Sequence, residues 1–261
     1  MKRDELLKMA ALEDRHWWFT GSRRVILSQI APLLPGSLPL LDVACGAGLT
    51  LSMLERSGLA PPSSLYGIDC SPDALAAAAR KTSASLVQAQ AAHLPFPDSK
   101  FGLVTLLDVL EHLPDDASGL AEAARVLRPG GSVVLTVPAH PWLYSRHDRA
   151  LGHLRRYRRS EVVRLAGAAE LHVQRLTACN CLLAPPIALV RLAVRLRDRS
   201  ERRTVELPSR AIATSERSDL SLPPAPINAF LGTVFGCEAA LLRHIDLPFG
   251  ISFLGVFQKG S

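Results

Sequence analysis

The clearest chemical content lies in Asp42-Val43-Ala44-Cys45-Gly46-Ala47-Gly48. A carboxylate sits near the end of an apolar run, two glycines follow, and a helical pattern begins at Leu49. Glycines there permit a tight strand-to-helix turn and let a ligand approach bare backbone. Glycine spacing alone fits many nucleotide sites, but two details narrow the ligand. Position 51 is Leu, where a dinucleotide fingerprint has its third glycine. Asp42 places negative charge beside the loop, which suits a cationic or hydroxyl-bearing ligand better than a pyrophosphate. Both details disfavour a nicotinamide dinucleotide. A second acid, Asp69, lies 21 residues after Gly48 and closes another apolar run. A carboxylate at such a strand end can accept both hydroxyls of a ribose. Its alternative role is a helix N-terminal charge beside Ser71.

A second group of reactive side chains follows Pro138. His140 and His153 carry imidazoles that titrate near neutral pH, so they are candidate general bases, with Tyr157 beside them as a third candidate catalytic group. Each histidine also reads as a hydrogen-bonded loop residue. Arg155 and Arg156 offer bidentate contact to a carboxylate or phosphate, or a solvated basic surface. Tyr144 and the aromatic cluster His16-Trp17-Trp18-Phe19, close to Arg23-Arg24, are candidates to line a substrate pocket. Trp17 and Trp18 serve equally as a lid or as the anchor of an N-terminal helix.

These residues need a scaffold, and the chain supplies an alternating one. Leu38 to Ala44, Ser64 to Ile68, Ser85 to Ala89, Phe101 to Leu107, Ser132 to Val137 and Leu171 to Ala178 are apolar runs of strand length. Between them, Leu49 to Arg56, the stretch opened by Ser71-Pro72-Asp73, Asp115 to Leu127 and Ser160 to Ala169 read as helices. Such alternation implies βαβ units and a doubly wound parallel sheet with helices on both faces, an α/β fold. Residues 1–36 read as an N-terminal helical cap closed by Pro35-Gly36, and 37–179 as the α/β core. Residues 180–245 break the rhythm as a helical insert or substrate cap, with helices at Leu182 to Arg197 and Ile227 to His244 and a polar linker from Arg197 to Pro226. Residues 246–261 hold the final strand, Gly250 to Gln258, which fits an antiparallel placement.

LLDVACGAGLTLSML, YGIDCSPDAL, AAHLPFPDSKFGLV, LLDVLEHL and ARVLRPGGSVVLTVP follow in order over residues 38 to 138. The series resembles the motifs of class I S-adenosylmethionine (SAM)-dependent methyltransferases, especially the branch with ubiquinone-type and small-molecule enzymes. The resemblance implies a seven-stranded, mostly parallel sheet with the last strand antiparallel, SAM as cofactor, and a small-molecule acceptor. It makes Asp42, Ala44, Cys45, Gly46 and Gly48 the SAM loop, with Asp42 near the methionine amino group. Asp69 becomes the ribose acid, with Cys70 beside the adenine. Gln90, followed by Ala91, stands where the family has an Asp contacting the adenine amine, and its amide oxygen can accept the same bond. Asp108 falls where the family closes over the methionine end. Glu111 and His112 match a frequent EH pair, which also suits a loop or cap role. The elements HWWF…RR, GHLRRY and LPFGISF resemble a bacterial methyltransferase subgroup.

Composition sets the outer bounds. The chain has 261 residues, 48% hydrophobic and 21% charged, enough for one α/β domain with a cap. A net charge of +6 is uneven: residues 146 to 203 are dense in Arg. Arg191, Arg195 and Arg199, with Ile187, Leu189, Val190 and Leu192, form an amphipathic basic pattern. It is consistent with peripheral membrane contact or a lipid-like acceptor, or with packing on the chain's own domain or a second copy. Leu107-Asp108-Val109-Leu110 lacks the N/D-P-P-Y/F pattern that presents polar groups to a planar amine, and no RNA-binding module is visible, so no nucleic acid partner is expected. The alternatives are a methyltransferase for RNA or protein, or a non-catalytic SAM-binding scaffold. Five cysteines without a CxxC pair, and no histidine at a zinc-ligand spacing, predict no metal site and a reducing, cytoplasmic setting. No signal-peptide core and no uncharged run near the ~20 residues of a membrane span are present.

Overall fold

In the computed structural model the described residues are 3–34, 38–190, 192 and 221–260. Seven strands form one sheet: β1 (Leu40–Val43), β2 (Leu65–Asp69), β3 (Ser85–Gln88), β4 (Phe101–Leu107), β5 (Leu127–Pro138), β6 (Leu171–Cys179) and β7 (Ser252–Lys259). Their order is β3-β2-β1-β4-β5-β7-β6. β1 to β5 pair in parallel, and β7 runs antiparallel between β5 and β6. The apolar runs LLDV and FGLVTLL are buried along their whole length, as expected of strands covered on both faces.

Four helices connect the parallel strands: α3 (Leu49–Arg56), α4 (Pro72–Ala78), α5 (Asp116–Val126) and α7 (Arg159–Ala168). Their starts are written locally. Ser71 Oγ accepts the Ala74 N–H at 3.3 Å with Pro72 in the first turn of α4, and the Asp115 carboxylate accepts the Ser118 N–H before α5. From β1 the chain builds β2 and β3 on one side, then returns to place β4 on the other. The carboxyl ends of β1 and β4 therefore flank a topological switch point, where open α/β sheets bind ligands.

Two N-terminal helices, α1 (Arg3–Leu12) and α2 (Trp17–Ile30), and α8 (Ala225–Leu241) complete the wall above this crevice. A Cβ on Gly21 would lie 2.7 Å from the Phe235 ring, so the glycine lets α2 and α8 pack closely. Asn228 joins them, accepting the Trp17 N–H at 2.9 Å and donating to the Arg15 carbonyl at 2.8 Å. Lys81, just past α4, pairs with Glu13 at 2.6 Å and Asp14 at 2.9 Å and ties the N-terminal segment to the core.

α3 and β4 have the bounds their sequence pattern predicts. The structure adds α6 (Arg146–Leu151), where the sequence reads as loop; a Ser145/Asp148 capping box opens it and Gly152, at φ +81°, closes it. Of the expected helix Leu182 to Arg197, residues 184–190 and 192 are helical. Arg191, Arg195, Arg199, most of the Arg197 to Pro226 linker and Pro35-Gly36 lie outside the described residues. No helix among the described residues is long and apolar enough to cross a membrane.

Candidate active site

The carboxyl ends of the central strands open on a cavity of about 1470 Å³. Its floor is the loop after β1. Ala44, Gly46 and Gly48 all have positive φ (+55°, +57° and +82°). A Cβ on Gly46 would meet nothing within 4 Å, so bare backbone faces open space there. Gly48 has a different reason to be glycine: a Cβ would sit 2.9 Å from Ala78 Cβ and 3.1 Å from Ala78 Cα. Gly48→Ala combines a left-handed backbone with this overlap and is expected to destabilise by roughly 2 kcal/mol in denaturant unfolding. A loss below about 0.5 kcal/mol would mean that α4 yields freely.

Asp69 closes β2 and lines the cavity. Its two oxygens accept the Gly46 N–H at 3.0 Å and the Ser71 N–H at 2.8 Å. Each carboxylate oxygen keeps a further acceptor site for a ligand hydroxyl. Cys70, Gln90 and Ala91 line the same side, and Ala44, Cys45 and Gly46 the floor. Asp108, at φ +58° after β4, accepts the Thr136 hydroxyl at 2.9 Å and lines the opposite side with His112. Asp42 and Gly48 do not line the cavity: Asp42 lies within β1, and Gly48 caps α3 at the end of the loop. Asp42 accepts the Thr105 hydroxyl at 2.6 Å, and burial pushes its pKa up to about 6, partly opposed by that hydrogen bond.

Trp17 and Trp18 line the cavity and also pack on Phe235, with ring centroids 6.3 and 5.6 Å away, so the same two rings face the cavity and join α2 to α8. Arg23, which the sequence marks only as a neighbour of the aromatic cluster, takes a definite place here. It lines the cavity, and its buried Nε has no hydrogen-bond partner.

The wall opposite is polar. Glu111 is fully buried, lines the cavity, and has both carboxylate oxygens without a hydrogen-bond partner. Burial raises its pKa, with the Asp108 charge adding to the effect. His153 Nδ1 lies 3.0 Å from Asp148 Oδ1, and its Nε2 is 3.9 Å from Glu111 Oε1. His112 Nδ1 lies 3.3 Å from the Gly152 carbonyl; burial, and then the His153 ring beside it, lower its pKa to about 4. Arg156 pairs with Asp148 at 2.7 Å and donates to the Ala139 carbonyl at 3.0 Å.

Four sequence candidates fall away from the cavity. His140 stacks on Phe249 at 4.7 Å and meets Phe253 edge-on; burial, then Arg156, lowers its pKa. The Tyr157 hydroxyl donates to Asp116 at 2.8 Å inside the core, where burial and that carboxylate raise its pKa. Tyr144 donates to the His153 carbonyl at 2.9 Å. Arg155 pairs with Asp116 at 3.1 Å and donates to the Leu113 and Pro114 carbonyls. Tyr144 and Arg155 thus shape the wall from behind. Asp148, which holds His153 and Arg156 together, escaped sequence reasoning; the Ser145-x-x-Asp148 capping pattern was its one local signal.

Comparison with known proteins agrees with this geometry. Residues 41–135 match the family described as a methyltransferase domain. The demethylmenaquinone methyltransferase of Bacillus licheniformis is 34% identical over 116 residues, 42% of this chain and 49% of that protein. The chain thus spans about half the length of the curated relatives it matches. A SAM-dependent methyltransferase of Archaeoglobus fulgidus has the same fold, with a TM-score of 0.56 at 14% identity over 90% of this chain and 92% of that one. The [4+2]-cyclase SpnF shares it too, with a TM-score of 0.56 at 19% identity over 90% of this chain and 81% of that one. A bare glycine loop under Asp69, a switch point between β1 and β4 and an antiparallel β7 accompany the family match: residues 41–135 are similar to the methyltransferase-domain family, and the chain has the fold of SAM-dependent methyltransferases.

Proposed function

We propose that the chain transfers a methyl group from SAM to an apolar, quinone-like small molecule. The observation that carries this reading is one cavity with two kinds of wall. The Gly46 floor and Asp69 face the same space as an apolar wall of Trp17, Trp18, Leu183, Ile187, Val190 and Leu231. The name of the curated relatives supports a quinone-type acceptor, while the cyclase fold-mate means that methyl transfer has to be measured.

The residues on the floor suit SAM, which when bound supplies an electrophilic methyl group on a sulfonium. Asp69 accepts ribose hydroxyls, Gln90 the adenine amine, and the unpartnered Arg23 Nε suits the methionine carboxylate. Asp42 contributes negative charge from within β1, and Asp108 adds its own on the methionine side. The cap (1–36) and insert (180–245) shape the acceptor side, with Arg23 of the cap reaching the cofactor, while 37–179 and 246–261 form the core that holds the cofactor and also presents His153 to the acceptor. Transfer breaks the sulfur–methyl bond as the acceptor–methyl bond forms. The acceptor's proton leaves at His153, which Asp148 orients through Nδ1. Exposed Leu189, Val190, Leu192, Ile227 and Phe230 suit contact with the membrane surface where an apolar acceptor resides. Five free cysteines suit a cytoplasmic setting.

Calorimetric titration with SAM and with NADH, followed by transfer of a labelled methyl group to demethylated quinones, tests the reading. SAM binding without an NADH signal, together with label transfer, is the expected result. Binding without turnover on any acceptor would make the chain a SAM-binding scaffold. His153→Ala is expected to keep SAM affinity within about twofold and to slow transfer by roughly 10²-fold or more. Unchanged turnover would remove His153 from the proton's path.

A further inference from the structure

Glu111, His112 and His153 converge on the polar wall, and methyl transfer as described leaves the first two without a task. We propose that these three side chains bind a divalent first-row transition-metal ion, with open coordination positions facing the acceptor. One ligand atom from each lies within 4.8 Å of the other two. An independent observation points the same way: Glu111 is wholly buried, yet neither carboxylate oxygen has a hydrogen-bond partner. Buried carboxylates are normally paired or coordinate a metal. The nearby cation, Arg156, is already committed to Asp148 and the Ala139 carbonyl.

Both imidazoles are arranged as ligands. Nδ1 of His112 faces the Gly152 carbonyl, and Nδ1 of His153 faces the Asp148 carboxylate. Each acceptor fixes a proton on Nδ1 and leaves the Nε2 lone pair free. A carbonyl or carboxylate behind the ring is the usual outer shell of a metal-binding histidine. The rings stand edge to face, with centroids 4.9 Å apart. Ligand atoms around a tetrahedral zinc ion lie about 3.4 Å from one another. The 3.9 Å from His153 Nε2 to Glu111 Oε1 is close to that spacing, and rotation about the side-chain torsions supplies the remaining approach. Two nitrogens and one carboxylate oxygen select zinc, iron(II), cobalt or manganese over calcium or magnesium. No local pattern signals the site, because 40 residues lie between His112 and His153.

The ion site stands on these three residues alone; its use rests on the proposed methyl transfer. An ion there holds an acceptor oxygen by coordination and lowers the pKa of its hydroxyl, whose proton then goes to water. His153 serves as a ligand in that state. Without an ion, its Nε2 is free to take the proton directly.

The test uses the full chain without an affinity tag, stripped with chelator, dialysed, and titrated with Co²⁺ alone. Expected are one bound equivalent and a visible d–d absorption band, with Zn²⁺ displacing it. Glu111→Gln, which keeps the shape of the side chain, and His112→Gln are each expected to weaken binding at least tenfold. His172→Gln, at an exposed position on β6, is expected to leave it unchanged. No band, or equal affinity in wild type and Glu111→Gln, overturns the site. SAM titration of the same samples separates the two claims. SAM binding by wild type that takes up no Co²⁺ overturns the ion site alone, whereas absent SAM binding in the wild type overturns the functional reading.

Discussion

Asp69→Ala is expected to lower SAM affinity by 10²- to 10⁴-fold in calorimetric titration. A hydrogen bond to a charged group contributes about 1.5–3 kcal/mol, and Asp69 would accept two ribose hydroxyls. The loss of roughly 3–6 kcal/mol converts to that range. Asp69 also accepts the Gly46 and Ser71 N–H groups, so its removal loosens the loop that forms the floor. Asp69→Asn keeps a carbonyl oxygen for one of these donors and is expected to bind with intermediate affinity and melt close to wild type. Affinity within threefold of wild type in Asp69→Ala, with an intact melting curve, would remove Asp69 from the site.

Asp42→Asn is expected to stabilise the ligand-free protein by about 3 kcal/mol at pH 7 to 8 and by almost nothing below pH 4. The folded-state pKa is about 6, against 3.8 for the free side chain. Between those values the native state holds more protons than the unfolded state, so stability falls as pH rises through the window. From about pH 7 upward the whole penalty is present, at 1.36 kcal/mol per pKa unit. Thr105 and Arg23 favour the charged form, while Asp69 and Glu13 oppose it. Burial outweighs them all. For a chain of this size the gain corresponds to roughly 6–12 °C in Tm. Melts at pH 4, 6 and 8 check the claim, and a gap that does not grow with pH refutes it. A cationic cofactor would recover part of this cost, so SAM should stabilise wild type more than the variant at pH 8.

The glycine-loop side of the cavity was legible because its determinants are local. The acid near the end of β1, the glycines before α3 and the acid closing β2 fall within one βαβ unit. The strand bounds shifted where pairing, not propensity, decides them. β5 begins at Leu127 because that residue pairs with Phe101 before a bulge, earlier than the Ser132 start the sequence suggests. The polar wall of the cavity was less legible because it is assembled from distant segments. The Leu154 N–H donates to the Glu111 carbonyl at 2.8 Å, which brings His153 to Glu111. His140 was singled out by residue type, and Phe249, 109 positions later, packs against its ring. Arg155 and Arg156 are neighbours in extended chain, so their side chains diverge; Arg156 reaches the cavity and Arg155 does not.

The position of β7 has a consequence for how the molecule is made. Within the sheet β6 touches only β7, and β7 also covers the edge of β5. Yet 72 residues separate the end of β6 from the start of β7. At a synthesis rate of about 5–20 residues per second, the ribosome needs roughly 4–14 s to traverse that interval. Throughout it, the nascent polypeptide carries an apolar, unpaired β5 edge and a β6 with no neighbour. This is the stretch of biosynthesis in which chaperone engagement, or edge-to-edge association between growing chains, competes with folding.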